Sequence, residues 1–561
     1  MTNPTRAGAL EALTGAGAPY ELELVELNGR TVRNFKRAPS SLRAMFEATA
    51  SELPFLIYND ERLSFAEAWQ AAARIGHVLV DDCGVQRGDR VAIAMRNYPE
   101  WILAFTAITS IGAVAVAMNA HWQADEMAYG VSYSGAKVVI ADQERLDRLA
   151  PRPDLYMLAV RATRLPPGAR HLAELTGALG RVAMPPAAIA PDDLATMLYT
   201  SGSSGRAKGV PSTQRNVLAA LLSWELDRRI LDLVAGVEAP PKQPGTLLAV
   251  PLFHVTGLHA SYLASYRTQR RIACMYRWDP EAGAALIDRE RLTSIVAPAA
   301  ITGDLLRVSQ GRYDLSTLVA VGGGGAPRAP EQVRQIRARF ANALPNIGWG
   351  MTETNAIGTS NAGEDYLTRP DSSGRVSHVL DLRIVDAAGR ALPAGQRGEL
   401  WVRGTSVFAG YWNLPHANAE AFVGDWFRTG DGAYIDDDGF LFIVDRIKDL
   451  IIRGGENIGC GRVEAALLMH PEVREASAYA VPDDRLGEEV GATIFCSEAL
   501  DLEQLKAFLT AHLARYELPR YLIRAAQPLP RTPSGKIFKR QIRAAAVAEL
   551  FGAPPPRGGK P

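Results

Sequence analysis

Between about residues 40 and 370, short β-branched apolar runs alternate with helix-like patterns, and this alternation constrains the fold more than any other feature of the chain. RVAIAM (90–95) precedes a helical stretch near Pro99 to Ile111, and KVVIAD (137–142) precedes a polar amphipathic one. TLLAVP (246–251) and SIVAPA (294–299) are further runs of the same kind. Such alternation predicts parallel sheets with helices on their faces and ligands held at strand C-termini. After about Gly374 the texture changes: DLRIVD, GELWVRG, FAGYW, DWFRTGD and GFLFIV read as short strands punctuated by Gly, Asp and Pro, an antiparallel sheet or small barrel. It changes again after Lys448. There RVEAALLMH reads as a helix, EASAYAVP and EVGATIF as strands, and LEQLKAFLTAHLARY as an amphipathic helix, a compact α+β unit.

The predicted fold class is therefore α/β, with a large N-terminal domain of two mostly parallel sheets and flanking helices plus a small antiparallel β-barrel, followed by a small mobile α+β C-terminal domain. The boundaries read as an N-terminal extension over 1–40, a large domain over 41–447 with its β-rich part at about 374–445, a C-terminal domain over 448–548, and a disordered tail over 549–561. A chain of 561 residues is too long for one core, which agrees with this division.

Lys+Arg and Asp+Glu both number 61, so no global positive field is available to hold nucleic acid, and none is expected as a partner. Four scattered cysteines without metal spacing favour a reducing compartment. The N-terminus lacks a basic segment followed by an apolar run. The most apolar stretch, Trp101 to Met118, is interrupted by Thr106, Thr109, Ser110 and Gly112 and reads as a buried helix feeding a buried strand, not as a membrane span. A cytoplasmic enzyme is the resulting expectation, and a homodimer is compatible with it.

The segment richest in chemistry is LATMLYTSGSSGRAKGV (194–210). An apolar strand runs into Thr200-Ser201-Gly202-Ser203-Ser204-Gly205, whose glycines let backbone N–H groups approach an anion while the hydroxyls add donors. Lys208 supplies a mobile positive charge, and the helix that follows takes Ser212 or Thr213 as N-cap. It is not a Walker A loop, because Gly209 stands where that motif needs a hydroxyl for magnesium.

This loop resembles the phosphate loop of the adenylate-forming superfamily: acyl-CoA synthetases, adenylation domains of peptide synthetases and beetle luciferases. Serines replace two threonines of the usual pattern and Ala207 replaces a proline, which keeps the hydroxyls and the lysine. The resemblance covers about residues 40 to 545 through an ordered series: NYPEWILAFTAITSIGAVAVAMN, PLFHVTG, GWGMTET, DWFRTGD, VDRIKDLIIRGGENI and PRTPSGKIFKR. It implies activation of a carboxylic acid with ATP and Mg2+ as an acyl-adenylate, then transfer to coenzyme A.

By resemblance, Thr352 contacts the α-phosphate and Glu353, with Thr200, holds Mg2+, a hard cation that prefers oxygen ligands. Gly324, Gly325, Ala326 and Pro327 lie beside the adenine and the acyl-pocket wall. Asp431 accepts from the ribose hydroxyls, assisted by Arg446. Lys536, in the rigid loop Pro530-Arg531-Thr532-Pro533-Ser534-Gly535, reaches the carboxylate and α-phosphate. Lys448 is the hinge about which the small domain rotates to present Gly454-Gly455 for thioester formation. Lys539 and Arg540 read as solvated charges.

Two positions carry substrate information. His254 stands where amino-acid-activating relatives place an Asp for the substrate ammonium, so an amino acid is disfavoured and His254 reads as substrate-gating. Trp349 and the glycine run line an apolar pocket for a medium- or long-chain fatty, aryl or alicyclic acid. Gly459-Cys460-Gly461 departs from the family's aromatic-proline pair, and no His is placed to activate Cys460, so it reads as a structural thiol. The alternatives are a fatty acyl-AMP ligase delivering to a carrier protein, a luciferase-like oxygenase, and a catalytically inactive nucleotide-binding protein.

Overall fold

A computed structural model of the chain describes residues 3–27, 29–149, 154–200, 206–237, 242–308, 311–326, 328–340, 342–454 and 456–552, apart from the side chains of Lys448 and Asn457. The tail beyond 552 lies outside the described residues.

The first sheet has seven strands, in spatial order Lys208–Thr213, Leu194–Thr200, Val114–Ala117, Arg90–Ala94, Val138–Asp142, Tyr156–Val160 and Ala169–His171. All pairings are parallel except the edge pair of Leu194–Thr200 with Lys208–Thr213. The Trp101–Met118 run is the helix Pro99–Ser110 leading into the strand Val114–Ala117, and both are buried. Twelve residues of helix span ~18 Å, too short for a bilayer core. The threonines that interrupt its apolar pattern are satisfied inside: Thr109 Oγ1 donates to the Phe105 carbonyl, and Thr106 Oγ1 meets the Tyr262 hydroxyl at 2.6 Å. Among the described residues, no helix is long and apolar enough to cross a membrane.

The second sheet has a parallel centre built from Leu344–Gly348, Ala320–Gly324, Ser294–Val296, Gly245–Leu248, Arg271–Cys274 and Pro54–Tyr58. It runs without a break into the β-rich region: Thr359–Ala362 and Gly374–Val376 pair antiparallel and join Phe440–Arg446, Trp426–Ile435, Gly398–Gly404 and Leu380–Val385. The expected β-rich part is therefore an arm of this fourteen-stranded sheet.

Two local expectations need correction. FAGYW is a loop, because the Asn418 side chain takes both backbone polar groups of Tyr411, accepting from its N–H at 2.7 Å and donating to its carbonyl at 3.0 Å, in place of a strand partner. The helix expected over LEQLKAFLTAHLARY is Leu502–Leu509, and the Thr510 hydroxyl takes the Ala507 carbonyl where it stops. In the N-terminal extension, helix Arg6–Thr14 and the hairpin Leu22–Leu27/Arg30–Phe35 share an apolar cluster with helix Gln214–Ala235 and the β-rich arm.

The C-terminal unit is a five-stranded sheet with the helices Cys460–Leu468, Leu502–Leu509 and Lys539–Phe551. Asp445, at the end of the large domain, accepts through one carboxylate oxygen from the N–H groups of Cys460 (2.6 Å) and Gly461 (3.4 Å). It thus caps the helix Cys460–Leu468 from the segment before it. Cys460 is fully buried, its Sγ donates to the Asp449 carbonyl at 3.2 Å, and burial pushes its thiol far above the usual range, so the departure at Gly459-Cys460-Gly461 builds a cap and not a nucleophile.

Candidate active site

The C-terminal ends of the parallel strands open on a cavity of about 2450 Å³ between the two domains. Leu194–Thr200 and Lys208–Thr213 form a hairpin in which Thr200 pairs with Lys208, so both residues stand at the base of the connecting loop. That strand after the loop was not legible in the sequence; the helix beyond it starts, as expected, at the Thr213 N-cap. Ser201, Gly202, Ser203, Ser204 and Gly205 lie outside the described residues, as do Pro327 and Gly455.

Glu353 sits in the turn Thr352–Thr354 and is 5% exposed. Its carboxylate accepts from the Tyr411 hydroxyl at 2.8 Å, and its backbone carbonyl accepts from the Phe408 N–H at 2.9 Å. Lys208 Nζ lies 4.8 Å from the centre of the Tyr411 ring. Tyr411 thus links the loop lysine to the buried carboxylate by a cation–π contact and a hydrogen bond. The sequence reading missed it because FAGYW looked like a strand.

Asp431 and Arg446 face each other across an antiparallel pair, and Arg446 Nε lies 2.6 Å from Asp431 Oδ1. The other oxygen accepts from Trp349 Nε1 at 2.8 Å. Trp349 therefore lines the cavity, as the sequence predicts, and also orients Asp431. Burial pushes the carboxyls of Glu353 and Asp431 up, against the pull of Tyr411 on the first and Arg446 on the second. Gly324, Gly325, Ala326 and Thr352 line the same cavity.

Lys536 arrives from the other domain. Its loop is a tight turn in which the Thr532 N–H donates to the Lys536 carbonyl at 2.7 Å and the Lys536 N–H to Thr532 Oγ1 at 3.2 Å. Arg531 anchors the loop, with two contacts to Asp304 of the large domain (2.7 and 3.1 Å) and one to Glu475 (2.6 Å). Gly535 (φ +83°) packs so closely on Ile301 that a Cβ would lie 2.9 Å from its Cδ1. At the tip, a Cβ on Gly325 (φ +75°) would meet Lys536 Cε at 2.9 Å, so glycine is required for the lysine to enter. Burial and the nearby Arg446 push the Lys536 ammonium down, while Asp431 and Glu353 pull it back up.

His254 also faces the cavity. Burial, with Lys536 nearby, holds its imidazole down to about 3, and its Nε2 has no hydrogen-bond partner among the described residues. Gly454 is exposed at a turn, where its N–H donates to the Leu486 carbonyl at 2.9 Å, and it does not line the cavity. The lysine loop is in and this glycine is out. Lys539 is not a free solvated charge: its ammonium, at the start of helix Lys539–Phe551, pairs with Glu464 of helix Cys460–Leu468 at 3.0 Å.

The implied magnesium fits these residues. Glu353 is a buried oxygen anion beside the loop that would carry phosphates, with Thr200 at the loop's base. Among the described residues no group of three or more His, Cys, Asp or Glu could cage a metal, and an ion held chiefly by substrate phosphates and water needs none.

Comparison with known proteins agrees. The AMP-binding enzyme family profile matches residues 44–412, and the AMP-binding enzyme C-terminal domain profile matches 462–536. The chain is similar to the long-chain-fatty-acid–CoA ligase FadD13 of Mycobacterium tuberculosis, with 32% identity covering 86% of this chain and 93% of that one. It is also similar to the feruloyl-CoA synthase of an Amycolatopsis species, at 32% identity over the same shares. The structure of o-succinylbenzoate coenzyme A synthetase (MenE) from Bacillus subtilis, in complex with ATP and magnesium ion, superposes with a TM-score of 0.74 at 26% identity, covering 89% of this chain and 99% of that one. The chain belongs to the AMP-binding enzyme family, within the adenylate-forming superfamily, as an AMP-forming acid–thiol ligase.

Proposed function

We propose that the protein couples ATP to a medium- or long-chain fatty, aryl or alicyclic acid and delivers the acyl group to coenzyme A. In the first half-reaction a carboxylate oxygen bonds to the α-phosphorus of ATP as the bond to pyrophosphate breaks. In the second, the thiol sulfur of coenzyme A bonds to the acyl carbon and AMP leaves. The observation that carries this reading is Lys536 seated against Gly325 in one site with Arg446, Asp431 and Glu353. Two anions must meet there, and a fixed ammonium and guanidinium offset their repulsion and the charge that grows on the phosphorus oxygens.

In this reading Lys208 and Thr200 hold the polyphosphate, Thr352 the α-phosphate, and Asp431 the ribose, kept in place by Trp349 and Arg446. Asp431 retains accepting capacity on both oxygens after those two contacts. Glu353 holds magnesium, which when bound neutralises the phosphates. Lys448 acts as the hinge, and Gly454 reaches the thiol path only after rotation. The neutral His254 offers no counter-ion for an ammonium, which favours plain carboxylic acids over amino acids. ATP–pyrophosphate exchange with a panel of acids tests the first half-reaction. Comparison of coenzyme A with a phosphopantetheinyl carrier protein tests the acceptor. Exchange with no acid rejects the proposal, and transfer to the carrier alone replaces it with an acyl-AMP ligase.

A further inference from the structure

The cavity does not end at the reacting groups. Its floor is one face of the parallel sheet, on which register partners share a side: Ser294 with Ala320, Gly324 with Gly348, and Val296 and Asn346 on either side of Gly322. These positions run from the strand C-termini, where Gly324 neighbours the Lys536 site, to the strand N-termini at Ser294 and Ala320. Ala320 and Gly324 are four residue steps apart, so the cavity extends ~13 Å along the strand. Along this path it is walled by Leu221 and Trp224 of the helix Gln214–Ala235 and by Ala260 and Ala264 from the facing helical segment.

At the far end the lining turns basic, with Arg228, Arg229, Arg267 and Arg270. Arg228 is paired with Asp232 at 2.8 Å and Arg267 with Glu225 at 2.9 Å. Arg270 is not paired: its Nη1 lies 3.4 Å from Ser294 Oγ, its Nε is buried without a partner, and no carboxylate among the described residues is within ion-pair distance. The charge closest in influence is another cation, Arg228, which together with burial pushes the guanidinium down to about 10. An uncompensated guanidinium at the end of an apolar channel is costly, and its planar fork matches a carboxylate. A substrate ending in methyl or unsubstituted aryl would cover it with apolar surface and leave the cost unrelieved.

We propose that the acid activated here carries a second anionic group, a carboxylate at the end opposite the reacting one, and that Arg270 is the specificity-determining residue that receives it. This rests on the ligase reading and narrows its substrate class. The tail of the acid spans the apolar channel, one carboxylate faces Lys536, and the other closes the Arg270 end.

The test is ATP–pyrophosphate exchange by the full chain with linear and aromatic acids of increasing length, each compared with and without a distal carboxylate. The best diacid is expected to exceed its matched monoacid in kcat/KM by roughly 10- to 100-fold, the effect of one charge-assisted hydrogen-bonded contact. Arg270→Gln is expected to bring that ratio close to one, and Arg270→Glu to invert it. A purely structural role for Arg270 would lower both acids together and leave the ratio unchanged, which overturns the assignment. A wild-type ratio at or below one for every length overturns it too, whether or not the variants fold. Exchange with monoacids but no gain from diacids rejects this inference alone, whereas exchange with no acid rejects the ligase reading with it.

Discussion

Replacing Lys536 with alanine removes the cation that the small domain seats against Gly325. An ammonium ~3–4 Å from a unit of developing negative charge contributes about 4–6 kcal/mol at an effective dielectric of ~20. Removal of a single preorganised donor in comparable sites costs about 2.7–4 kcal/mol. The lower pair of figures already includes solvent and neighbours that partly fill the gap, so adenylation is expected to slow by roughly 10²- to 10³-fold. The second half-reaction is different. In the proposed cycle the small domain turns Gly454, here exposed and outside the cavity, toward the thiol, and that rotation withdraws Lys536. Acyl transfer to coenzyme A from supplied acyl-adenylate is therefore expected to be much less affected. ATP–pyrophosphate exchange measures the first half and stopped-flow consumption of synthetic acyl-adenylate the second. Equal losses in both would refute the reasoning, because Lys536 would then act in both orientations or serve only to hold the fold.

Other outcomes follow from the same geometry. Asp304→Ala removes both large-domain contacts of Arg531 and the acceptor of Trp278 Nε1, so exchange should fall by about tenfold, the equivalent of ~1.4 kcal/mol, with acyl transfer spared; a lowered Tm with unchanged exchange would contradict the anchoring role. Gly325→Ala adds a Cβ 2.9 Å from Lys536 Cε at φ +75°, where the backbone alone costs ~1–2 kcal/mol. Its effect on exchange should be strongly non-additive with Lys536→Ala in a double-mutant cycle, and simple additivity would show that the two residues do not meet. His259 is fully buried, with its imidazole held down to about 4 from an ordinary 6.5, so between these pH values the unfolded chain binds the proton and the folded chain does not. Stability from this group is present above pH 6.5 and is lost as pH falls toward 4. His259→Gln should flatten the pH dependence of unfolding by up to ~1.4 kcal/mol per pH unit in that window, and an unchanged slope in denaturant melts would count against a neutral buried His259.

Much of the architecture was legible before any coordinates. Arg90–Ala94, Pro99–Ser110, Val114–Ala117 and Val138–Asp142 lie where apolar periodicity placed them, because a buried parallel strand and its covering helix are written in neighbouring residues. The ordered motifs likewise named Lys208, Glu353, Asp431, Arg446 and Lys536 as one group. What local pattern could not carry was partnership across the fold. Tyr411 joins Lys208 to Glu353, Trp349 holds Asp431, and Arg531 ties the lysine loop to Asp304 over a separation of 227 residues. FAGYW had strand composition, yet an asparagine side chain seven residues on supplied the hydrogen bonds that a strand neighbour would have made. Propensity and periodicity are properties of adjacent residues, whereas burial, counter-charge and hydrogen-bond satisfaction depend on what the rest of the chain brings near. That is why the sequence alone determined the sheets and which residues gather at their edge, while only the tertiary structure decided which of them the small domain supplies in this orientation and that an Arg270 without a carboxylate partner among the described residues stands at the channel's far end.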